Sequence, residues 1–279
     1  MAIAGEEYRQ AREISGKTRV YAHLAHPSGH VRAPQVFNRA FRARGIDAVT
    51  VSIDVAPDDL HAMVSGLHGW RNLAGIGVTT PHKETIVAEV DEIVGLARYI
   101  KAINNIRREQ DGRLIGTNTD GAGFVAGLKG AGRDPSGRRV LLVGVGGAGR
   151  AIAFALVEAG VASLGLANRT RARAERLAGE IEEVFSDASV NVVQPDPAGY
   201  DLVVNATTLG MRDDDELPFD VDHLAGGTIV ADVVVAVPKT RLMHEAERRG
   251  CVPHPGQLML EGQVDQVIKY LRLEPVSNS

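Results

Sequence analysis

Residues 140–151 read VLLVGVGGAGRA: four apolar residues, a glycine-rich turn, and the start of an apolar-periodic stretch running to about residue 159. A short apolar run bounded by glycine fits a strand buried on both faces, and the periodicity after it fits a helix. Gly144, Gly146, Gly147 and Gly149, with Ala148 among them, permit a sharp strand-to-helix turn. Such a turn lets backbone N–H groups approach a pyrophosphate at the helix N-terminus. Tight strand–helix packing alone also uses glycine, but a strand before and a helix after favour a dinucleotide site.

The next strand, SLGLAN at 163–168, ends in Asn168-Arg169-Thr170, with Arg173 one turn into the following helix. An NAD site usually places Asp or Glu near this point for the ribose hydroxyls. Asn and Thr can instead bond a 2′-phosphate, and guanidiniums neutralise it where a carboxylate repels it. The cofactor expected is therefore NADP(H), with NAD as the alternative. A solvated helix face accounts equally for some of Arg171, Arg173 and Arg176, and least well for Arg169 on the turn.

Working outward, a helix is expected over 171–185 and further strands at 201–206 and 228–235, with connections at 186–199 and 212–218. Upstream, strands at 19–25, 47–53 and 75–80 alternate with helical patterns at 34–44 and 58–69, which predicts a largely parallel sheet. Residues 107–119 read as a hairpin about Asp111-Gly112, a dipeptide suited to a type I′ turn. The glycine-rich stretch 120–137, with Pro135, reads as a hinge; 257–272 is helical, and the chain beyond Pro275 reads as frayed. The fold class expected is α/β: an N-terminal substrate domain with a mainly parallel sheet and a C-terminal Rossmann-type NADP-binding domain. The boundaries expected are 1–120 plus 240–279 for the first and 121–239 for the second.

Composition bounds the function. A length of 279 residues fits two domains, and 44% hydrophobic with 24% charged residues is ordinary globular composition. A net charge of −4 gives no basic field for nucleic acid. Cys251 is the single cysteine, which excludes an intramolecular disulfide. The opening MAIAGEEYRQ lacks an apolar core, so no secretory signal is expected, and no apolar run is long enough to span a bilayer. A cytoplasmic protein without membrane contact is expected. His23, His26 and His30 lie close together without carboxylates or cysteines at ligand spacing, so no metal is expected. The 31 glycines and only 4% aromatics make the placement of glycine informative.

Three polar clusters stand at strand or loop ends in the first half: Val78-Thr79-Thr80-Pro81-His82-Lys83, Ala102-Ile103-Asn104-Asn105 and Gly116-Thr117-Asn118-Thr119-Asp120-Gly121. Lys and Asp can form a proton-transfer pair, the carboxylate orienting the ammonium and tuning its pKa. Taken singly, Lys83 also fits a surface lysine at a helix start, Asp120 an N-cap and Asn104 a turn residue.

Together and in this order these clusters resemble the shikimate dehydrogenase family. GVTTPHK resembles its NVTxPxK block, AINN its AVNT block and GTNTDGAGF its GxNTDxxGF block. GVGGAGRA resembles its GAGGA-type loop, NRT its NADP clamp, NATTLGM (205–211) its NATSxGM block, and GQLMLEGQ (256–263) its GxxMLxxQ helix. GKTRV (16–20) resembles the entry strand, and Pro34 with Asn38 the helix after the substrate loop. The resemblance implies reversible hydride transfer between NADP(H) and a ring carbon of a shikimate-like polyol. It implies that Lys83 relays the proton, that Asp120 orients it and the substrate, and that Thr79, Asn104 and Gln263 hold neighbouring hydroxyls. Thr207, Gly210 and Met211 would lie on the nicotinamide side.

The substrate loop departs from that pattern. The family's HSxSP, whose serines bond a carboxylate, is here His30-Val31-Arg32-Ala33-Pro34; the Asn of NVTxPxK is Gly77, and a usual tyrosine is Val235. An apolar site would bury a carboxylate unpaired, unless Arg32, His30 or His26 takes the anion. Val31, Arg32 and Ala33 are therefore candidate substrate-reading residues. The expectation is a family oxidoreductase acting on an altered, small cyclic polyol. The alternatives are a shikimate or quinate dehydrogenase using Arg32, and a non-catalytic NADP(H)-binding regulator. Monomer and homodimer both stay open.

Overall fold

The computed structural model describes residues 13–276 apart from Asp213 and Ala236; the readings of the first ten residues and of the last three lie outside the described residues. In chain order the elements are β1 (Arg19–Ala25), α1 (Ala33–Ala43), β2 (Ala48–Asp54), α2 (Leu60–Leu67), β3 (Leu73–Val78), β4 (Glu92–Ile93), α3 (Ala97–Ile100), β5 (Asn105–Arg108), β6 (Leu114–Thr117) and α4 (Asp120–Gly130). The second half continues with β7 (Arg139–Val143), α5 (Gly147–Glu158), β8 (Ser163–Ala167), α6 (Arg171–Val184), β9 (Val190–Val192), β10 (Leu202–Asn205), β11 (Ile229–Asp232), α7 (Arg241–Arg248), β12 (Val252–His254), α8 (Gly256–Gly262) and α9 (Val264–Tyr270).

By packing, the chain forms two units. The first holds the described chain up to Val94, Ile103–Thr117 and the residues from Val264; the second holds Gly95–Ala102 and Asn118–Gln263. These limits differ from the expected 120/121 and 239/240. The physical reason is β12, which extends the second sheet beside β11, and α8, which packs on α4.

The first unit has a six-stranded sheet in the order β2-β1-β3-β5-β6-β4. β1 pairs in parallel with β2 and β3, whereas β3/β5 and β5/β6 are antiparallel. Ala22, Leu24, Ile76, Val78 and Ile106 form one side of a core with Leu60, Val64 and Leu67, which recur at helical spacing along α2. β2 is an edge strand, and Asn38 of α1 covers it. The Asn38 amide donates to Thr50 O at 2.9 Å and accepts from Thr50 N at 2.7 Å, occupying edge groups that would otherwise pair with another chain.

The hairpin is as expected but its turn is not type I′. Gly112 is left-handed at φ 99 while Asp111 is not. Gly112 N–H donates to Glu109 O and Glu109 N–H to Arg113 O, a longer turn closed by a left-handed glycine. Asp111 instead accepts from Arg113 N–H and its guanidinium, which does not require positive φ.

The second unit is an all-parallel sheet in the order β12-β11-β10-β7-β8-β9. Numbered from β7, that is 3-2-1-4-5-6, the doubly wound dinucleotide-binding order. Val140, Leu141 and Leu142 are fully buried, as a strand covered on both faces must be. Ala174, Leu177, Ala178 and Ile181 place one face of α6 in one core with Val140 and Leu142, while Leu141 faces a second core with Val203 and Val230.

Three local expectations are corrected. The supposed hinge at 120–137 begins with a three-turn helix, α4. Its glycines are contact points: a Cβ at Gly127 would lie 2.5 Å from Leu258 O, and one at Gly123 would lie 2.1 Å from Gln263 Cγ. The tail helix is broken in two at Gln263. Val276 is not frayed, since its N–H donates to Gly45 O at 3.1 Å.

Candidate active site

In the first unit the candidate residues gather where β1 and β3 end and β5 begins. Thr79 follows β3 and is pinned by its N–H on Leu24 O at 3.0 Å. His82 N–H turns back to Thr79 O, and the His82 ring is buried with Nε2–H on Val55 O at 2.8 Å. This anchor leaves Lys83 half-buried, with its carbonyl accepting Ile103 N–H at 2.8 Å. Asn104 is 5% exposed; its N–H donates to Thr117 O and its carbonyl accepts from Val78 N–H.

Neighbouring side chains orient Asn104. The Tyr21 hydroxyl donates to Asn105 Oδ1 at 2.5 Å, and Asn105 Nδ2 donates to Asn104 Oδ1 at 2.9 Å. His23, Gly77 and Asn105 are register partners across β1, β3 and β5. A Cβ at Gly77 would lie 2.4 Å from His23 Cδ2 and 2.7 Å from the Tyr21 hydroxyl oxygen. The imidazole and phenol thus fill the volume that a side chain at 77 would take.

The substrate loop follows β1. Val31 is half-buried, Arg32 is exposed at the start of α1, and Ala33 is buried at 3% exposure. His26 Nδ1 lies 2.7 Å from Asp54 Oδ1, and Ser28 N–H donates to Asp54 Oδ2 at 2.8 Å. The Ser28 N–H and then His26 hold the Asp54 carboxyl below its ordinary range. Two groups of the loop able to bind an anion are therefore already engaged by the protein's own carboxylate. Sequence reasoning missed Asp54, because only the β1/β2 register brings it to the loop.

In the second unit Asp120 is the first residue of α4, with Thr119 rather than Asp120 in the N-cap position. Asp120 is 3% exposed, its N–H donates to Asn118 Oδ1 at 3.0 Å, and the helix N-terminus favours its charge. Gln263 reaches it from the break between α8 and α9: Nε2 donates to Asp120 Oδ1 at 3.3 Å, while Thr119 Oγ1 donates to Gln263 Oε1 at 2.9 Å. Thr119 fixes which end of the Gln263 amide meets the carboxylate, a role the sequence did not disclose.

The nucleotide turn is also in the second unit. Gly144 is left-handed at φ 99, and a Cβ at Gly149 would lie 2.0 Å from Gly144 O. Gly146, Gly147 and Ala148 open the twelve-residue α5, whose first N–H groups lack intrahelical acceptors. Asn168 Oδ1 accepts from Val145 N–H at 3.3 Å and Nδ2 donates to Thr170 O at 2.9 Å, tying the turn to the end of β8. Arg169, Thr170 and Arg173 are exposed beside it, whereas Arg171 pairs with Glu175. Oriented amides and the exposed guanidiniums of Arg169 and Arg173, with no carboxylate at positions 168–170, fit a dinucleotide carrying an extra phosphate. After β10, Thr207 N–H and Oγ1–H both donate to Asn205 Oδ1; Gly210 is left-handed at φ 99, and Met211 is 44% exposed.

Among the described residues no cluster could hold a metal ion, and no helix is long and apolar enough to cross a membrane.

Comparison with known proteins agrees with this layout. Residues 24–106 match the shikimate dehydrogenase substrate binding domain, and residues 129–210 match the shikimate / quinate 5-dehydrogenase family. A shikimate dehydrogenase (NADP(+)) of Rubrobacter xylanophilus is 43% identical over 256 residues, covering 88% of each chain. The shikimate 5-dehydrogenase of Thermus thermophilus, solved with NADP(H) and shikimate, has a TM-score of 0.81 at 31% identity, covering 91% of this chain and 93% of that one. The 5-ketofructose reductase of a Gluconobacter species has a TM-score of 0.82 at 30% identity, covering 92% and 94%. This chain belongs to the shikimate dehydrogenase family of NADP-dependent oxidoreductases.

Proposed function

We propose that the protein interconverts a ring hydroxyl and ketone of a small cyclic polyol that carries no carboxylate at the position read by the substrate loop. The observation that carries this reading is the loop itself. Val31 and Ala33 offer no hydroxyl, and Asp54 engages His26 and the Ser28 N–H. A substrate anion would meet an apolar wall and a like charge. A site that hydrogen-bonds a group discriminates strongly for it, and one without the donors leaves that group unpaired. That a 5-ketofructose reductase shares the fold supports a polyhydroxy ketone without a carboxylate as substrate.

Lys83 passes the proton to or from the reacting oxygen, held in place by the Thr79–His82 turn and the Ile103 N–H on its carbonyl. Asp120, fixed by Asn118 and Gln263, orients a substrate hydroxyl. Thr79, Asn104 and Gln263 hold neighbouring hydroxyls. The amides of Gly146, Gly147 and Ala148 cradle the pyrophosphate, with Asn168, Arg169, Thr170 and Arg173 at the 2′-phosphate. NADP(H), when bound, supplies the hydride chemistry.

The test is NADP+ reduction, followed by absorbance, across shikimate, quinate and neutral cyclohexane polyols. Greater kcat/KM on a neutral ring is expected. Efficient turnover of shikimate with micromolar KM would overturn the reading in favour of a shikimate dehydrogenase that uses Arg32. Tight NADP(H) binding with no turnover of any ring compound would favour a regulator.

A further inference from the structure

Asp232 ends β11 and is 1% exposed, yet no Lys, Arg or His pairs with it among the described residues. Burial pushes its carboxyl up, so retaining it costs stability. Its hydrogen bonds come from the end of β10, from its own chain two residues on, and from the start of α7. Asn205 Nδ2 donates to Oδ1 at 3.1 Å, Val234 N–H donates to the same oxygen at 3.1 Å, and Thr240 Oγ1–H donates to Oδ2 at 2.7 Å.

Each partner controls further structure. Asn205 organises the loop after β10: the same Nδ2 donates to Leu209 O at 3.0 Å, and its Oδ1 accepts both Thr207 donors. Val234 begins the segment after β11. Thr240 is the N-cap of α7, accepting from Met243 N–H. Gly210 sits directly over this centre, where an added Cβ would lie 3.5 Å from Thr240 Cγ2 and 3.8 Å from Asp232 Oδ2. All of this is at the carboxyl edge of the second sheet, the edge where ligands bind in open α/β folds.

We infer that Asp232 is a positioning residue for the nicotinamide half of the cofactor, locking loop 205–210 to Val234 and Thr240. It acts through Asn205 and Thr240 and does not itself touch the cofactor. The inference rests on the reading that Thr207, Gly210 and Met211 lie beside the nicotinamide. A purely structural carboxylate would affect both halves of the cofactor alike, whereas the adenine half is held separately by α5 and the Asn168–Arg173 segment.

The experiment compares two probes on the full chain, NADPH and 2′,5′-ADP, which carries the adenine half alone. Asp232→Asn removes the charge without changing shape, and it leaves the Thr240 hydroxyl without its acceptor. The NADPH Kd is expected to rise about 10-fold, the equivalent of one lost buried hydrogen bond, with the 2′,5′-ADP Kd changing less than about twofold. NADPH binding to the wild type should enhance the nicotinamide emission, and Asp232→Asn should reduce that enhancement. Thr240→Val should reproduce the effect and Thr240→Ser restore wild-type behaviour, so the inference stays testable if the Asp232 variant fails to fold. Equal loss for both probes, or an unchanged NADPH Kd and emission, would overturn the inference alone. Wild-type NADPH binding no tighter than 2′,5′-ADP, with no change in emission, would overturn the nicotinamide reading and the inference with it.

Discussion

At the scale of single residues, the proposed chemistry makes Lys83 indispensable and Arg169 selective. Lys83→Ala should lower turnover by about 10²–10⁴-fold, the usual contribution of a positioned proton-transfer group, and leave NADPH affinity unchanged. Steady-state kinetics alongside a fluorescence titration separates the two quantities. Arg169→Ala should weaken NADPH more than NADH, because only the former offers a 2′-phosphate to the guanidinium. The proposed roles of Lys83, Asp120, Asn104 and Gln263 rest on local sequence blocks with distinctive neighbours. Asp54, Tyr21 and Asn105 were not assigned their roles, because those roles arise from register: His23 pairs with Gly77, and Gly77 with Asn105, on strands far apart in sequence. The same register explains Gly77, whose missing side chain makes room for the His23 ring and the Tyr21 hydroxyl.

At the scale of elements, the helix pair α4–α8 brings Asp120 and Gln263 together, and glycine makes the close approach possible. A methyl at Gly127 would press on Leu258 O at 2.5 Å, and one at Gly123 would meet Gln263 Cγ at 2.1 Å. Backbone cannot move aside as a side chain can. Gly127→Ala should therefore cost roughly 1–3 kcal/mol of stability by overpacking, read as a lower urea midpoint with an unchanged m-value. The same glycines hid α4 from the sequence, since low helix propensity reads as a hinge unless the packing partner is known. Two short edge strands were hidden for related reasons. β9 lies in a polar stretch, and β12 carries Pro253, which an edge strand tolerates. The strand–turn–helix at 139–158 was legible because burial on both faces leaves an uninterrupted apolar run.

For the whole molecule, acid stability has an identifiable contribution from His254. The ring is buried beside Phe124, its Nδ1 lies 3.1 Å from Arg133 Nη1, and burial followed by the Arg133 charge pushes its pKa down to about 4. The unfolded chain takes up this proton near pH 6.5, so the stability gained by keeping the ring neutral is complete above about 6.5. It is lost as the pH falls from there toward 4, by roughly 3 kcal/mol in all. Urea denaturation of His254→Leu should show a flatter dependence across that window than the wild type; an unchanged slope would contradict the assignment.

The central claim is that the same reacting residues serve a substrate without the carboxylate. The most direct measurement is kcat/KM for shikimate in the wild type and in the double variant Val31→Ser/Ala33→Ser. Restoring two hydroxyl donors should raise kcat/KM for shikimate by about 100-fold or more, the scale of two hydrogen bonds to a charged group, with NADP+ affinity unchanged. A wild type that already turns over shikimate efficiently, and a double variant that gains nothing, would contradict the account.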